Sequence, residues 1–241
     1  MLGGTQEQPG ADPHAAGPDR LLKGVPRTSD RGLVLAVVPA HNEQERIGTA
    51  LGSLAEQSSP PSSILVCADN CTDGTALAAQ AAGASVFETQ GNEHGRAGAL
   101  NQGLELLLPV LRDDDAVLIT TAGFVLADSF LAESRRRLER GVGGVGDVLS
   151  PLDGAKLIAR LREEQYAIFA RDLAKLRDQA LILTGEATLF SSRALWHVLM
   201  ARAAGLLPGN GTHVFNVDAA NPDTELTLAL VHLGYRIISS G

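Results

Sequence analysis

Apolar residues in the first half of the chain form short continuous runs, separated by longer stretches in which they recur three or four positions apart. A continuous β-branched run such as 33–38 is typical of a strand buried on both faces, and the wider spacing indicates an amphipathic helix. Strands are predicted at residues 33–38, 64–68, 85–88 and 116–121, and helices at 45–57, 75–82, 98–111 and 129–140. Because strands alternate with helices, we expect an α/β fold with a mainly parallel, twisted sheet flanked by helices.

The second half of the chain has a different character. The pattern predicts a long charged helix at 156–179 and an extended segment at 182–189. A helix at 194–204, a loop rich in Gly, Pro and Asn at 205–222, a helix at 224–232 and a final short segment at 235–239 follow. Residues 1–30 lack any apolar run, which predicts a disordered leader rather than a signal peptide. The remaining 31–241 are predicted to form a single domain.

Composition excludes several classes of protein. The net charge is −8 without a long basic block, so we expect no nucleic-acid partner. Cys67 and Cys71 are too few for a disulfide framework, and their spacing fits neither a redox nor a zinc motif. Reduced thiols predict a cytoplasmic location. The longest apolar run, 33–38, is too short for a membrane span.

Glycines at 141–146 satisfy the pattern G-x-G-x-x-G. A dinucleotide-binding fingerprint must follow a strand and open a helix, whereas these glycines follow a predicted helix. A dinucleotide site is therefore the weaker interpretation of this segment.

Polar loops follow the first three predicted strands. Residues 39–43 read P-A-H-N-E, residues 69–73 read D-N-C-T-D, and the glycine-rich stretch 91–101 carries one cation, Arg96. Ligands of open parallel sheets bind at the carboxyl ends of the strands, where these loops converge. The sequence therefore predicts a ligand pocket at that edge of the sheet.

Read in order, these motifs resemble family 2 of the glycosyltransferases, which have the GT-A fold. The match comprises V-V-P-A-H-N-E, A-D-N-C-T-D-G-T and G-N-E-H-G-R-A-G-A-L-N, then E-Q-Y at 164–166, L-T-G-E-A-T-L-F at 183–190 and D-T-E-L-T-L-A-L at 223–230. The resemblance implies transfer of a sugar from a nucleoside diphosphate donor to an acceptor hydroxyl. It also implies a nucleotide-binding half at 33–125 and an acceptor half at 126–241. The acceptor, whether glycan, lipid or protein, is not indicated.

The same resemblance assigns roles to individual residues. The base and ribose of the donor are assigned to Pro39, Ala40, Asn42, Glu43 and Asp69, whose carboxylate can accept hydrogen bonds from them. Arg96 matches a basic position near the diphosphate. Asp223 matches the aspartate of the T-E-D motif, which would deprotonate the acceptor hydroxyl and lead to inversion at the sugar carbon.

Each of these residues also has a plainer interpretation. Asp69 could shape an Asx turn after its strand, and Arg96 could be a solvated surface charge. Residues 221–225, N-P-D-T-E, read equally well as a helix start with a cap, a proline in the first position and acids in the first turn. Asp128 is likewise expected to cap the helix at 129–140.

The sequence departs from the family at the metal site. A Mg²⁺ or Mn²⁺ ion is expected for the family, but the acids of its Asp-x-Asp motif fall on Thr121 and Gly123, which offer no carboxylate. The acids at 113–115 lie at the other end of the same strand, about 20 Å away at roughly 3.3 Å per residue, and are expected in a solvated turn. Asn221 and Pro222 replace the first two T-E-D residues, and no Q-x-x-R-W motif precedes the last residue, Gly241.

Two functional hypotheses follow. The first is an inverting glycosyltransferase, supported by the ordered motifs and by Asp69, Arg96 and Asp223. The second is a degenerate relative that binds a nucleotide or a partner protein without turnover, supported by Thr121 and Gly123. A purely structural α/β domain is a third and weaker alternative.

Overall fold

The structure, a computed structural model, describes residues 27, 32–149 and 182–240. The predicted helix at 156–179 and, apart from Arg27, the predicted leader lie outside the described residues. In chain order the elements are β1 (Val34–Ala40), α1 (Ile47–Ala55), β2 (Ser63–Ala68), α2 (Thr75–Ala81), β3 (Ser85–Glu88), α3 (Gly95–Leu107), a 3-10 turn (Leu108–Val110), β4 (Ala116–Thr120), α4 (Phe130–Arg137), β5 (Val142–Leu149), β6 (Ile182–Ser191), α5 (Ser192–Ala203), α6 (Pro222–His232) and β7 (Arg236–Ser239).

The strands of the described segments form one sheet in the order β3-β2-β1-β4-β6-β5-β7. β1 pairs in parallel with β2 and β4, β2 with β3, and β5 with β7. Only the pairings of β6 with β4 and β5 are antiparallel. The predicted mainly parallel sheet flanked by helices is therefore confirmed.

Both faces of the sheet are buried, which explains the continuous apolar run of β1. Leu35 and Val37 belong to a core cluster that includes side chains of α3, α5 and α6. Ala36 and Val38, the alternate residues, belong to a second cluster with side chains of α1 and α4. Successive side chains of a strand point to opposite faces, so a strand covered on both sides must be apolar at every position.

The chain order creates a crevice between β1 and β4. From β1 the chain moves outward through β2 and β3, then returns to the other side of β1 to form β4. β1 and β4 pair only as far as Val37 and Ile119, whereas β1 and β2 stay paired up to Ala40 and Ala68. Pro39 has no N–H to extend a ladder towards β4. This reversal of strand order is where open α/β sheets bind ligands.

Several predicted helix boundaries are wrong. α3 begins at Gly95 and ends at Leu107, and α4 spans only Phe130–Arg137. The residue that precedes α4 is Ser129, and no side chain caps the helix, so the predicted cap at Asp128 is wrong. Within the described ranges, no helix is long and apolar enough to cross a membrane.

The glycine run at 141–146 leads into a strand instead of opening a helix, which rules out the dinucleotide fingerprint. β5 occupies Val142–Leu149 and pairs with β6 and β7. A Cβ on Gly146 would come within 2.6 Å of the Ala187 carbonyl oxygen, and one on Gly144 within 2.8 Å of the Leu183 side chain. The glycines therefore allow β5 to approach β6 closely.

Asp115 departs from the predicted solvated turn at 113–115. Its side chain is fully buried, and its oxygens accept the N–H groups of Leu33 and Arg112 at 2.7 Å. Arg27 adds an ion pair at 3.0 Å. Asp113 does lie in solvent, where it pairs with Arg193. Asp115 therefore ties the chain just before β1 to the start of β4.

Replacing Asp115 with alanine should lower the free energy of unfolding by about 3 kcal/mol, because the N–H groups of Leu33 and Arg112 and the Arg27 guanidinium lose a charged acceptor. Asp113→Ala is the matched control and should cost less than about 1 kcal/mol, because its ion pair is exposed. Urea unfolding of both variants measures the difference. Equal losses would contradict the structural role of Asp115.

Candidate functional site

The loops that follow β1 and β2 are tied together at the carboxyl edge of the sheet. Asn42 and Asn70 have φ angles of 53° and 47°, a left-handed conformation that asparagine tolerates better than most residues. The Oδ1 atom of Asn42 accepts the N–H of Thr72 at 2.8 Å. The N–H of Glu43 donates to the Thr75 hydroxyl at 2.8 Å. These bonds fix both loops at the mouth of the crevice.

Asp69 is the buried carboxylate of this edge, and 6% of its surface is exposed. Its Oδ1 atom accepts hydrogen bonds from the Thr89 hydroxyl at 2.8 Å, from Asn92 Nδ2 at 2.8 Å and from Asn70 Nδ2 at 3.1 Å. These donors are side chains, and no backbone N–H two residues on is among them, so the Asx-turn interpretation is wrong. Nothing in the described part of the chain donates to Oδ2, which leaves that oxygen available to a ligand.

Asn92 connects Asp69 to the start of α3. Besides its bond to Asp69, its Nδ2 donates to the Gly95 carbonyl at 2.8 Å, and its Oδ1 accepts the His94 N–H at 3.0 Å. A Cβ on Gly98 would overlap the Asn92 amide, so only glycine leaves room for this side chain. The first turn of α3 is therefore held directly against the Asp69 network.

Arg96 and Asp223, 127 residues apart, form an ion pair beside this network. The Nη1 atom of Arg96 lies 2.9 Å from both carboxylate oxygens of Asp223. The two side chains are 29% and 28% exposed. Arg96 is therefore not a solvated surface charge. The first turns of α3 and α6 meet here, so Asp69, Arg96 and Asp223 lie around one edge of the sheet.

The segment around Asp223 is also a well-formed helix start. Asn221 is the N-cap residue of α6, and its Oδ1 accepts the Thr224 N–H at 3.0 Å. Pro222 occupies the first position, and Asp223 and Glu225 lie in the first turn. The helix-start interpretation is confirmed. It leaves the partly exposed Asp223 carboxylate open to a chemical role as well.

A buried ion pair positions the loop before α6. Arg202 of α5 donates to Glu225 at 2.5 and 3.1 Å, and their side chains are 0% and 2% exposed. Arg202 also donates to the carbonyls of Val214 and Pro208. Burial raises the pKa of Glu225, and the Arg202 guanidinium opposes that rise. The sequence predicts Glu225 only as a first-turn acid, because nothing in the sequence links it to Arg202.

The other predicted nucleotide contacts differ in accessibility. Pro39 and Ala40 are buried in β1, and the Ala40 carbonyl accepts the Asp69 N–H at 2.8 Å. Asn42 is exposed and Glu43 half-buried, and both line a cavity of about 400 Å³. His41, for which the sequence predicts no role, lies beside them. Its Nδ1 is 2.6 Å from the Asp69 carbonyl, which can only accept, so Nδ1 carries the proton.

The residues at the positions that the sequence resemblance assigns to the metal-binding acids do not fit a divalent ion. Thr121 is half-buried and offers a neutral hydroxyl, and Gly123 is exposed, with open space where a side chain would lie. The described ranges contain no group of three His, Cys, Asp or Glu residues able to hold a metal. Hard divalent ions require carboxylate oxygens, which these positions do not supply.

A larger cavity of about 1070 Å³ lies at the opposite edge of the sheet, between the end of α4 and the start of α5. Four arginines and four acids line it, at 135, 136, 140 and 193 and at 113, 114, 115 and 139. Because the positive and negative side chains are equal in number, the lining favours neither anionic nor cationic ligands. This cavity is separate from the predicted site. Its acids at 113–115 precede β4, at the amino end of that strand, whereas Asp69 follows the carboxyl end of β2, which runs in the same direction.

Comparison with known proteins identifies the family of the sequence. The sequence profile described as "Glycosyltransferase like family 2" matches residues 31–239. A comparison with curated protein sequences finds no match.

Among solved structures, similar folds occur in glycosyltransferases. A mannosyltransferase from Pyrobaculum calidifontis in complex with GDP-Man and Mn²⁺ has a TM-score of 0.58 and 22% identity, covering 92% of this chain and 59% of that one. Glucosyl-3-phosphoglycerate synthase from Mycobacterium tuberculosis in complex with UDP has a TM-score of 0.52 and 17% identity, covering 98% and 77%. The chain thus spans less than two thirds of the mannosyltransferase. The predicted GT-A fold is confirmed.

The two cysteines should differ sharply in reactivity. Burial, with a further contribution from the Asp69 charge, raises the pKa of Cys67 to about 12, whereas Cys71 is half-exposed beside the Ala40 carbonyl. Only the thiolate reacts, so at pH 8 a disulfide reagent should modify one thiol in the folded protein and both in urea. Cys71→Ser should abolish the reaction of the folded protein. Rapid modification of Cys67 in that variant would contradict its burial.

Proposed function

Because the chain belongs to glycosyltransferase-like family 2, we propose that it transfers a sugar from a nucleoside diphosphate donor to an acceptor hydroxyl, with inversion at the sugar carbon. The observation that carries this proposal is the continuous set of contacts from Asp69 through Asn92 to the start of α3, and from Arg96 to Asp223. These contacts connect Asp69, the candidate ligand of the nucleoside, with Arg96, the candidate ligand of the diphosphate, and with Asp223, the candidate base. UDP and GDP-Man, bound by the solved relatives, are the nucleotide types to test first.

The donor would lie along the mouth of the crevice. Asp69 Oδ2, which accepts no bond from the described residues, would accept one from the base or the ribose, together with Asn42 and Glu43 of the neighbouring loop. Pro39 and Ala40 are buried, so their contribution would be to hold the backbone that carries Asp69. Arg96 would donate to the diphosphate oxygens, a charge-assisted contact that suits a guanidinium.

Asp223 would act as the general base. Its carboxylate would take the proton of the acceptor hydroxyl while the oxygen attacks the sugar carbon from the face opposite the diphosphate. The new carbon–oxygen bond forms as the bond to the diphosphate breaks, and the nucleoside diphosphate leaves with that electron pair. The ion pair with Arg96 must loosen first, because Arg96 Nη1 donates to both oxygens of Asp223.

A second candidate function follows from Thr121 and Gly123. A divalent ion contributes several kcal/mol by stabilising the leaving diphosphate, and each ~1.4 kcal/mol changes the rate tenfold. Loss of its ligands favours a relative that binds a nucleotide or a partner without turnover. The two functions share the nucleotide contacts and differ at the step assigned to Asp223.

Nucleotide binding and sugar transfer should respond differently to loss of the Asp223 charge. UDP or GDP should bind, and should slow the modification of Cys71, which lies in the loop after β2. Asp223→Asn should keep nucleotide binding and lose transfer by about a hundredfold or more, because a general base contributes roughly 10²–10⁴-fold. Asp218→Asn, an exposed acid in the loop before α6, is the matched control. Transfer from UDP-glucose and GDP-mannose to lipid, glycan and protein acceptors is the measurement.

Retained transfer in Asp223→Asn would refute the assigned base. Absence of binding to both nucleotides would refute the proposed donor site.

Carboxylates placed at positions 121 and 123 distinguish the two candidate functions. The double variant Thr121→Asp, Gly123→Asp places an acid at both positions, and a Cβ at 123 meets no atom within 4 Å. An active chain should hydrolyse or transfer donor sugar before and after the change. Donor hydrolysis that appears only in the double variant, and only with Mn²⁺, would favour the inactive relative.

A further inference from the structure

Resting on the proposed function, we propose that Arg96 replaces the divalent ion as the cation that binds the donor diphosphate, so nucleotide binding requires no metal. The same contact makes Asp223 a competitor of the diphosphate for Arg96. Binding of an anionic nucleotide and release of the candidate base would then be one event.

Positions 121 and 123 carry no carboxylate that could bind a divalent ion. Thr121 and Gly123 occupy the positions where acids would hold the ion, and no group of three ligating side chains exists among the residues the structure describes. The acids at 113–115 precede the start of β4 and do not lie at its carboxyl end. The negative charge of a diphosphate must therefore be offset by a different group.

Arg96 has the placement that this role requires. The Nη1 atom already holds two oxygens of an anionic group at 2.9 Å, so its geometry suits an oxyanion. The side chain is only 29% exposed, and partial burial strengthens a charge interaction relative to water. The bonds from Asn92 to Asp69, Gly95 and His94 fix the turn that carries Arg96. Arg96 therefore approaches the diphosphate from the same edge that carries Asp69.

Because Asp223 and the diphosphate compete for Arg96, Arg96→Ala and Asp223→Asn should change nucleotide affinity in opposite directions. Removing the guanidinium removes the cation from the nucleotide. Removing the charge of Asp223 removes one anionic competitor of the phosphate oxygens for the Arg96 guanidinium. A site in which a metal ion binds the diphosphate predicts no such opposition, because Asp223 would then have little influence on nucleotide affinity.

Calorimetric titration of the full chain with UDP and with GDP tests the proposal, once with EDTA and once with Mn²⁺. The dissociation constants should agree within about twofold in the two conditions. Arg96→Ala should weaken binding by roughly 10–100-fold, because hydrogen bonds to charged groups contribute about 1.5–3 kcal/mol. Asp223→Asn should tighten it by about two- to fivefold, the range expected of a half-exposed ion pair.

Arg136→Ala is the matched control, since Arg136 is an exposed arginine at the opposite edge, and it should leave both constants unchanged. Arg96→Lys keeps the positive charge and should retain more affinity than Arg96→Ala. Thermal unfolding verifies that each variant is folded. If Arg96→Ala does not fold, two measurements still test the proposal: the dissociation constants with EDTA and with Mn²⁺, and the affinity of Asp223→Asn.

Binding that requires Mn²⁺, or that Mn²⁺ tightens tenfold or more, would overturn this inference and leave the proposed function standing. Equal affinity in Arg96→Ala and the unchanged protein would overturn it as well. Failure of both nucleotides to bind under either condition would refute the proposed function itself.

Discussion

The carboxylate of Asp69 is almost completely buried, and a buried charge is tolerated only when hydrogen bonds replace the water it has lost. Three side chains meet that requirement at one oxygen, and they come from the loop after β2 and from the segment after β3. Satisfying Asp69 therefore fixes two loops at once. Because one of the donors, Asn92, also bonds the first turn of α3, the direction in which Arg96 leaves the helix depends on the same carboxylate. Asp69 thus organises the site even before any ligand contact is considered.

Two ion pairs of very different cost hold the start of α6: one joins it to α5 and the other joins it to α3. Arg202 and Glu225 are buried, and breaking such a pair costs about 3–5 kcal/mol because one charge is left uncompensated. Arg96 and Asp223 are more than a quarter exposed, and pairs at exposed sites contribute at most about 1 kcal/mol. The buried pair can therefore keep α6 in place while the outer pair opens. A ligand can separate Arg96 from Asp223 without disturbing the helix that carries the candidate base.

Local pattern predicted the sheet, and it failed wherever a distant partner decides the structure. The run at 33–38 is apolar at every position because both faces of β1 are covered, so sequence alone identifies it. The convergence of the loops after β1, β2 and β3 was predictable as well, because the carboxyl ends of parallel strands lie at the same edge of a sheet. In contrast, the burial of Asp115 depends on Leu33 and Arg27, and that of Glu225 on Arg202, none of which is near in sequence. The glycines of β5 were uninformative for the same reason, since the close approach of β6 requires them.

The effect that the lack of carboxylates at Thr121 and Gly123 has on diphosphate binding depends on the other cations of the site. In a site whose only cation was a metal, their loss would remove diphosphate binding and leave Asp223 without a substrate to act on. Here an arginine already contacts that aspartate, so the proposed function would couple diphosphate binding and base chemistry through one guanidinium. Electrostatic stabilisation by a fixed cation costs no reorganisation during the reaction, which is the property that makes preorganised charges effective. A single arginine provides one positive charge where a divalent ion provides two. The expected consequence is a slower leaving-group step and not loss of the site, which is why nucleotide affinity and transfer must be judged separately for this chain.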